Sequence, residues 1–121
     1  MAKILLVDDD VEFGVVFSKI LKSEGHETAV ALNTAEGLIA LKKEKFDLVF
    51  ADLSMPGENG LVFLKKSKKE FPATPVVMIT AFGDWDIYAK AIESGVSKFV
   101  NKPVKKEEII QVIKEVLAPQ K

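Results

Sequence analysis

Short apolar runs alternate along this chain with longer segments whose apolar positions recur every three or four residues. The runs cover residues 4–7, 28–31, 48–51, 76–79 and 98–100. A brief, continuous apolar run marks a strand buried on both faces. The segments between them read as helices. The first carries Phe13, Val16, Phe17, Ile20 and Leu21 on one stripe and stops near Gly25, a residue type suited to the end of a helix. The second opens after Asn33 or Thr34, either of which can cap it. The third follows Gly60 and runs to about Glu70. The fourth runs from near Asp84 to near Gly95, with a weak stripe. The last presents Ile109, Val112, Ile113, Val116 and Leu117 on one face and is ended by Pro119.

Five strands alternating with five helices predict βαβ units. Right-handed crossovers then give a parallel sheet covered on both faces, an α/β fold. The 121 residues suit one domain spanning 1–121, with short linkers and no internal repeat. The last residues, Pro119, Gln120 and Lys121, fit a true end and the start of a linker equally well.

Composition narrows the function classes. No cysteine is present, so disulfides, thiolate catalysis and cysteine zinc sites are excluded. Seventeen basic and 18 acidic residues give a net charge of -1, which argues against a general nucleic-acid or membrane-surface binder. The opening residues do not form a signal peptide, and no apolar stretch is long enough to span a bilayer. A soluble cytoplasmic domain is expected.

In an open parallel sheet, ligands gather beyond the carboxyl ends of the strands. There the first strand delivers Asp8, Asp9 and Asp10, the third Asp52, the fourth Thr80 and Ala81, and the fifth Asn101, Lys102 and Pro103. The second strand end supplies nothing ionisable. Two carboxylates about 4 Å apart repel by roughly 4 kcal/mol at an effective dielectric near 20, so the cluster calls for a cation or a proton. Carboxylates, a hydroxyl and an ammonium form a set suited to phosphoryl chemistry. Acid oxygens suit Mg²⁺. An Asp can act as nucleophile and form an acyl phosphate. A Lys neutralises charge on phosphoryl oxygens. The loop after Asp52, from Ser54 through Met55, Pro56 and Gly57 to Gly60, is rich in turn residues.

In order, these motifs are an acid pair after the first strand, Asp after the third with Met-Pro and Gly following, Thr-Ala after the fourth and Lys-Pro after the fifth. The chain thereby resembles the receiver domains of two-component response regulators over essentially its whole length. The resemblance implies a flavodoxin-like receiver fold with strand order 2-1-3-4-5. It implies that Asp52 is the phosphoacceptor. Asp9, Asp52 and the backbone carbonyl of Ser54 would hold Mg²⁺ directly, with Asp8 acting mainly through water. Lys102 would pair with the acids at rest and with the phosphoryl group after transfer. Thr80 would move toward that group, and Phe99 would be the aromatic switch that follows it. The Lys102–Pro103 bond is expected to be cis. No histidine stands among the strand ends, so the phosphodonor belongs to a partner histidine kinase or phosphotransfer protein. The domain would catalyse only its own phosphorylation and dephosphorylation. It would signal to an output partner or domain through the face of the fourth helix, fifth strand and fifth helix, as a monomer or weak dimer that binds neither nucleic acid nor membrane directly. Trp85 and Tyr88 lie near that face. Ser54 and Phe82 lack the amide or carboxylate that positions attacking water, which predicts a long-lived phosphoryl group.

Other readings stand beside these. Asp10 serves as a helix N-cap. His26 reads as a surface turn residue. The lysines at 42, 43, 45, 65, 66, 68 and 69 read as solvated helix faces. A magnesium-dependent phosphatase of the haloacid-dehalogenase type would use Asp8 as nucleophile and Asp10 in an Asp-x-Asp motif. It leaves Asp52 without a role and finds Glu12 where that motif wants Thr or Val. A flavodoxin-like FMN carrier would set three acids against the cofactor phosphate.

Overall fold

The computed structural model describes residues 2–53, 60–80 and 85–118. Ten elements follow in strict alternation: β1 Lys3–Val7, α1 Val11–Ser23, β2 Glu27–Ala31, α2 Thr34–Lys43, β3 Leu48–Asp52, α3 Gly60–Glu70, β4 Val76–Thr80, α4 Trp85–Glu93, β5 Lys98–Asn101 and α5 Lys106–Val116. The strands form one sheet in the order β2-β1-β3-β4-β5, and every neighbouring pair is parallel.

Every residue of β3 and β4 is buried, because helices cover both faces of the sheet. Alternate residues feed two separate cores. Leu5, Val7, Val49, Ala51, Val76 and Met78 point into one, which α2, α3 and α4 cover with Leu41, Phe63, Leu64 and Ala91. Ile4, Leu6, Leu48, Phe50, Val77 and Ile79 point into the other, which α1 and α5 cover with Phe17, Leu21, Ile109, Val112 and Ile113. Phe17 meets Phe50 edge-on at 5.0 Å between centroids, a favoured aromatic geometry. Val16, expected on the buried stripe of α1, is instead 55% exposed. The stripe is centred on Phe17 and Leu21, and Val16 falls at its rim.

Local chemistry sets the helix ends. Asp10 Oδ1 accepts from the Phe13 N–H at 3.0 Å, capping α1. Asn33 does the same for α2 through the Glu36 N–H at 2.9 Å, and Glu36 reaches back to accept from the Leu32 N–H. After α1 the chain turns through Gly25 at φ 84°, and the His26 N–H bonds back to the Leu21 carbonyl. Gly95 at φ 92° does the same after α4. Both positions need the left-handed conformation that glycine takes without a Cβ penalty. The Lys102–Pro103 bond is cis.

Candidate functional site

The β-order reverses direction between β1 and β3, and the crevice at such a switch point is where open α/β sheets bind ligands. Asp8 stands directly beyond β1, and its N–H extends the ladder to the Ala31 carbonyl at 3.0 Å. Asp52 is the last residue of β3 and Thr80 the last of β4. Asp52 pairs in register with Ile79, one residue before Thr80, and Thr80 pairs with Asn101. The strands thus deliver the acids, the hydroxyl and the lysine to one end of the sheet.

Carboxylate oxygens of Asp8, Asp9 and Asp52 all lie within 4.8 Å of one another. Asp8 is fully buried, Asp52 is 4% exposed, and Asp9 faces solvent. Lys102 Nζ donates to Asp52 Oδ2 at 3.2 Å and lies 3.7 Å from Asp8 Oδ2. Its own N–H bonds the Thr80 carbonyl at 2.8 Å, tying the lysine to the end of β4. Its ammonium also sits 5.5 Å from the centroid of the Phe13 ring, a cation–π distance.

Burial pushes the Asp8 carboxyl up to about 6. The Asp10 N–H opposes this, the Asp52 charge adds to it, Lys102 subtracts, and Asp9 adds a little more. For Lys102, burial acts to lower the ammonium's value, yet the Asp52 hydrogen bond and the charges of Asp52, Asp8 and Asp10 outweigh it and raise the value.

The donor set fits a hard divalent cation. All three groups are carboxylates, the ligand type Mg²⁺ selects. Asp8 Oδ1 accepts from the Asp10 N–H at 2.9 Å, while the buried Oδ2 has no hydrogen-bond partner. A buried carboxylate oxygen without one is costly unless another charge attends it.

Among the predicted site residues, Asp8, Asp9, Asp52 and Lys102 are brought together directly. Thr80 is buried one strand over. Phe99 lies opposite Met78 on β5, half-buried against the α4 side, its ring edge-on to Tyr88 at 4.7 Å. Ser54 and Phe82 lie outside the described residues, as do Met55, Pro56, Gly57, the Trp85 side chain and Pro119.

Several contacts are not announced by the sequence. A Cβ on Gly60 would run into the Asp52 carbonyl oxygen and the Met78 methyl. The only sequence signal is a glycine where the turn meets the helix. Phe13 belongs to the apolar stripe of α1, and nothing in that stripe reveals its place beside Lys102. Two residues expected on the surface are tied into the fold. His26 is half-buried, and its Nδ1 accepts from the Ala2 N–H at 3.0 Å, so it ties down the first strand. Lys68 is no solvated lysine: its Nζ donates to the carbonyls of Pro72 and Thr74 at 3.2 and 3.1 Å, and burial lowers its value.

The comparisons with known proteins agree with this fold. The family model for the response regulator receiver domain matches residues 4–114. The transcriptional regulatory protein GlrR of Escherichia coli K12 is 38% identical over 116 residues, covering 96% of this chain and 26% of that protein. This chain therefore spans about a quarter of several curated relatives. Sporulation initiation phosphotransferase F of Bacillus subtilis is 32% identical and is matched over 95% of this chain and 93% of its own length. The receiver domain of NtrX from Brucella abortus superposes with a TM-score of 0.89 at 36% identity, covering 97% of this chain and 99% of that one. A CheY-like receiver from Methanospirillum hungatei gives a TM-score of 0.91 at 30% identity, covering 95% of this chain and 92% of that one. The match supports the receiver reading over a phosphatase using Asp8, whose carboxyl is also buried and partly tied to Asp10. No helix among the described residues is long and apolar enough to cross a membrane. The chain belongs to the response-regulator receiver family, the phosphorylation-controlled switches of two-component signalling.

Proposed function

We propose that Asp52 is the phosphoacceptor of a single receiver domain spanning residues 1–121. A histidine kinase or phosphotransfer protein presents a phosphohistidine at the crevice. An Asp52 carboxylate oxygen attacks phosphorus, the N–P bond breaks, and the imidazole leaves. Lys102 then moves from the carboxylate to a phosphoryl oxygen. Thr80 supplies a hydroxyl to another oxygen, and Phe99 follows it. Asp9, Asp52 and the Ser54 carbonyl would hold Mg²⁺ directly and Asp8 mainly through water, and the metal's charge would offset that of the transferred group. Catalysis is confined to the domain's own phosphorylation and dephosphorylation. The output is carried by the face of α4, β5 and α5 to a partner or a further domain, in the cytoplasm.

The observation that supports this best is the 3.2 Å bond from Lys102 to Asp52, beside an Asp8 oxygen that has no hydrogen-bond partner. One carboxylate already faces a cation that can migrate to a phosphoryl group. Its acidic neighbours offer the carboxylate oxygens that such a metal would take. Borohydride reduction tests the assignment, because it converts an aspartyl phosphate to homoserine. After treatment with acetyl phosphate, peptide mass analysis should find homoserine at position 52. Homoserine at position 8 would overturn the proposal.

A further inference from the structure

Tyr88 touches the fifth strand twice. Its ring packs edge-on against Phe99 at 4.7 Å and 68°, and its hydroxyl lies 3.3 Å from Asn101 Oδ1, to which it donates. Phe99 and Asn101 are two apart on β5, so both project to the side that α4 covers. One side chain from α4 therefore clamps two positions of the strand.

Those positions adjoin the site. Asn101 stands directly opposite Thr80 in the β4–β5 register and is joined by a peptide bond to Lys102. The Tyr88–Asn101 contact coexists with the Lys102–Asp52 hydrogen bond, the pairing of the unphosphorylated site. Asn101 thus adjoins both residues expected to turn toward a phosphoryl group, Lys102 along the chain and Thr80 across the ladder. Phe99 cannot leave its place without losing the Tyr88 ring.

We propose that Tyr88 is a positioning residue that latches β5 in the resting arrangement through Asn101 and Phe99, and so holds back the switch. This rests on the reading of Asp52 as acceptor and Phe99 as switch. A contact made only in the resting state lowers apparent affinity for anything that binds the switched state, in proportion to the population it removes. Tyr88→Phe keeps the ring and deletes only the hydroxyl. Asn101→Ala deletes the acceptor.

The test is titration of beryllium fluoride, a mimic of the acyl phosphate, with Mg²⁺ into wild type, Y88F, N101A, the double variant and D52N. The latch predicts that Y88F and N101A each bind about two- to three-fold more tightly, the low end for one hydrogen bond because this one is long and exposed. The double variant should match either single one, because both remove the same contact. A role confined to stability would move the melting temperature and leave the affinities unchanged. Unchanged or weaker binding by Y88F, or additive gains in the double variant, would overturn the latch while leaving the acceptor reading intact. If wild type fails to bind, or D52N binds equally well, the acceptor reading falls and the latch with it.

Discussion

Lys102 reaches Asp52 across the end of an intervening strand. The two residues lie at the ends of β5 and β3, with β4 between them, and the ammonium stands 3.2 Å from the carboxylate. Asp8, from β1, lies within 3.7 Å of the same ammonium. One cation thus joins three strands that are far apart in sequence. A parallel sheet with a common strand direction makes this convergence possible.

Replacing Lys102 by Met should expose how much repulsion the ammonium relieves. Removing one partner of a buried pair costs about 3–5 kcal/mol. The Lys102 side chain is 27% exposed, so solvent screens part of this. A loss of roughly 1–3 kcal/mol is expected in urea unfolding at neutral pH without Mg²⁺. The loss should shrink when Mg²⁺ is added. Equal losses with and without the metal would separate the lysine from the acid cluster.

The pH dependence follows from Asp8. Its folded value is raised from 3.8 to about 6, so the folded state holds this proton more tightly than the unfolded chain does. The stability it contributes is full below the unfolded value and is lost as pH rises through the folded one. The metal-free protein should therefore lose stability through this group between about pH 4 and pH 7. Mg²⁺ competes with the proton for the same carboxylate, so its stabilising effect should grow over that range. At a hundredfold excess over its dissociation constant it contributes about 2.7 kcal/mol. Thermal melts with and without Mg²⁺ at several pH values check this. A shift that is larger at low pH would contradict it.

Gly60 leaves no room for a side chain beside the Asp52 carbonyl. Gly60→Ala must push the start of α3 away from the end of β3, at a cost of about 1–3 kcal/mol. It should also slow phosphorylation by acetyl phosphate, because the acceptor carboxylate moves with its strand. A variant with wild-type stability and rate would show that the start of α3 adjusts freely.

Lys68 separates a structural lysine from its solvated neighbours. It holds two carbonyls of the turn between α3 and β4. Lys68→Ala should cost about 1 kcal/mol. The exposed Lys65, Lys66 and Lys69 should each change stability by less than about 0.5 kcal/mol when replaced. Equal small effects at all four positions would return Lys68 to the solvated face.

The fold was legible because both faces of the sheet are buried. Runs such as Ile4 to Val7 contain no polar residue to confuse strand with loop, and the breaks fall at Gly25, Asn33 and Gly95. The cluster of Asp8, Asp9, Asp52 and Lys102 followed from a rule about strand ends that needs only the order of elements. Contacts set by side-chain reach were not legible. Lys68 looked like its neighbours in a run of lysines, and His26 like a turn residue. Val16 sat at the rim of a stripe whose exact centre depends on how α1 lies on the sheet. The Tyr88 hydroxyl on Asn101 joins helix and strand through a geometry that neither segment encodes alone.

The most direct test is intact mass after incubation with acetyl phosphate and Mg²⁺, for wild type and Asp52→Asn. Wild type should gain one phosphoryl group, a gain lost when Mg²⁺ is chelated and absent from Asp52→Asn. No gain in wild type, or an equal gain in both proteins, would contradict the assignment of Asp52 as phosphoacceptor.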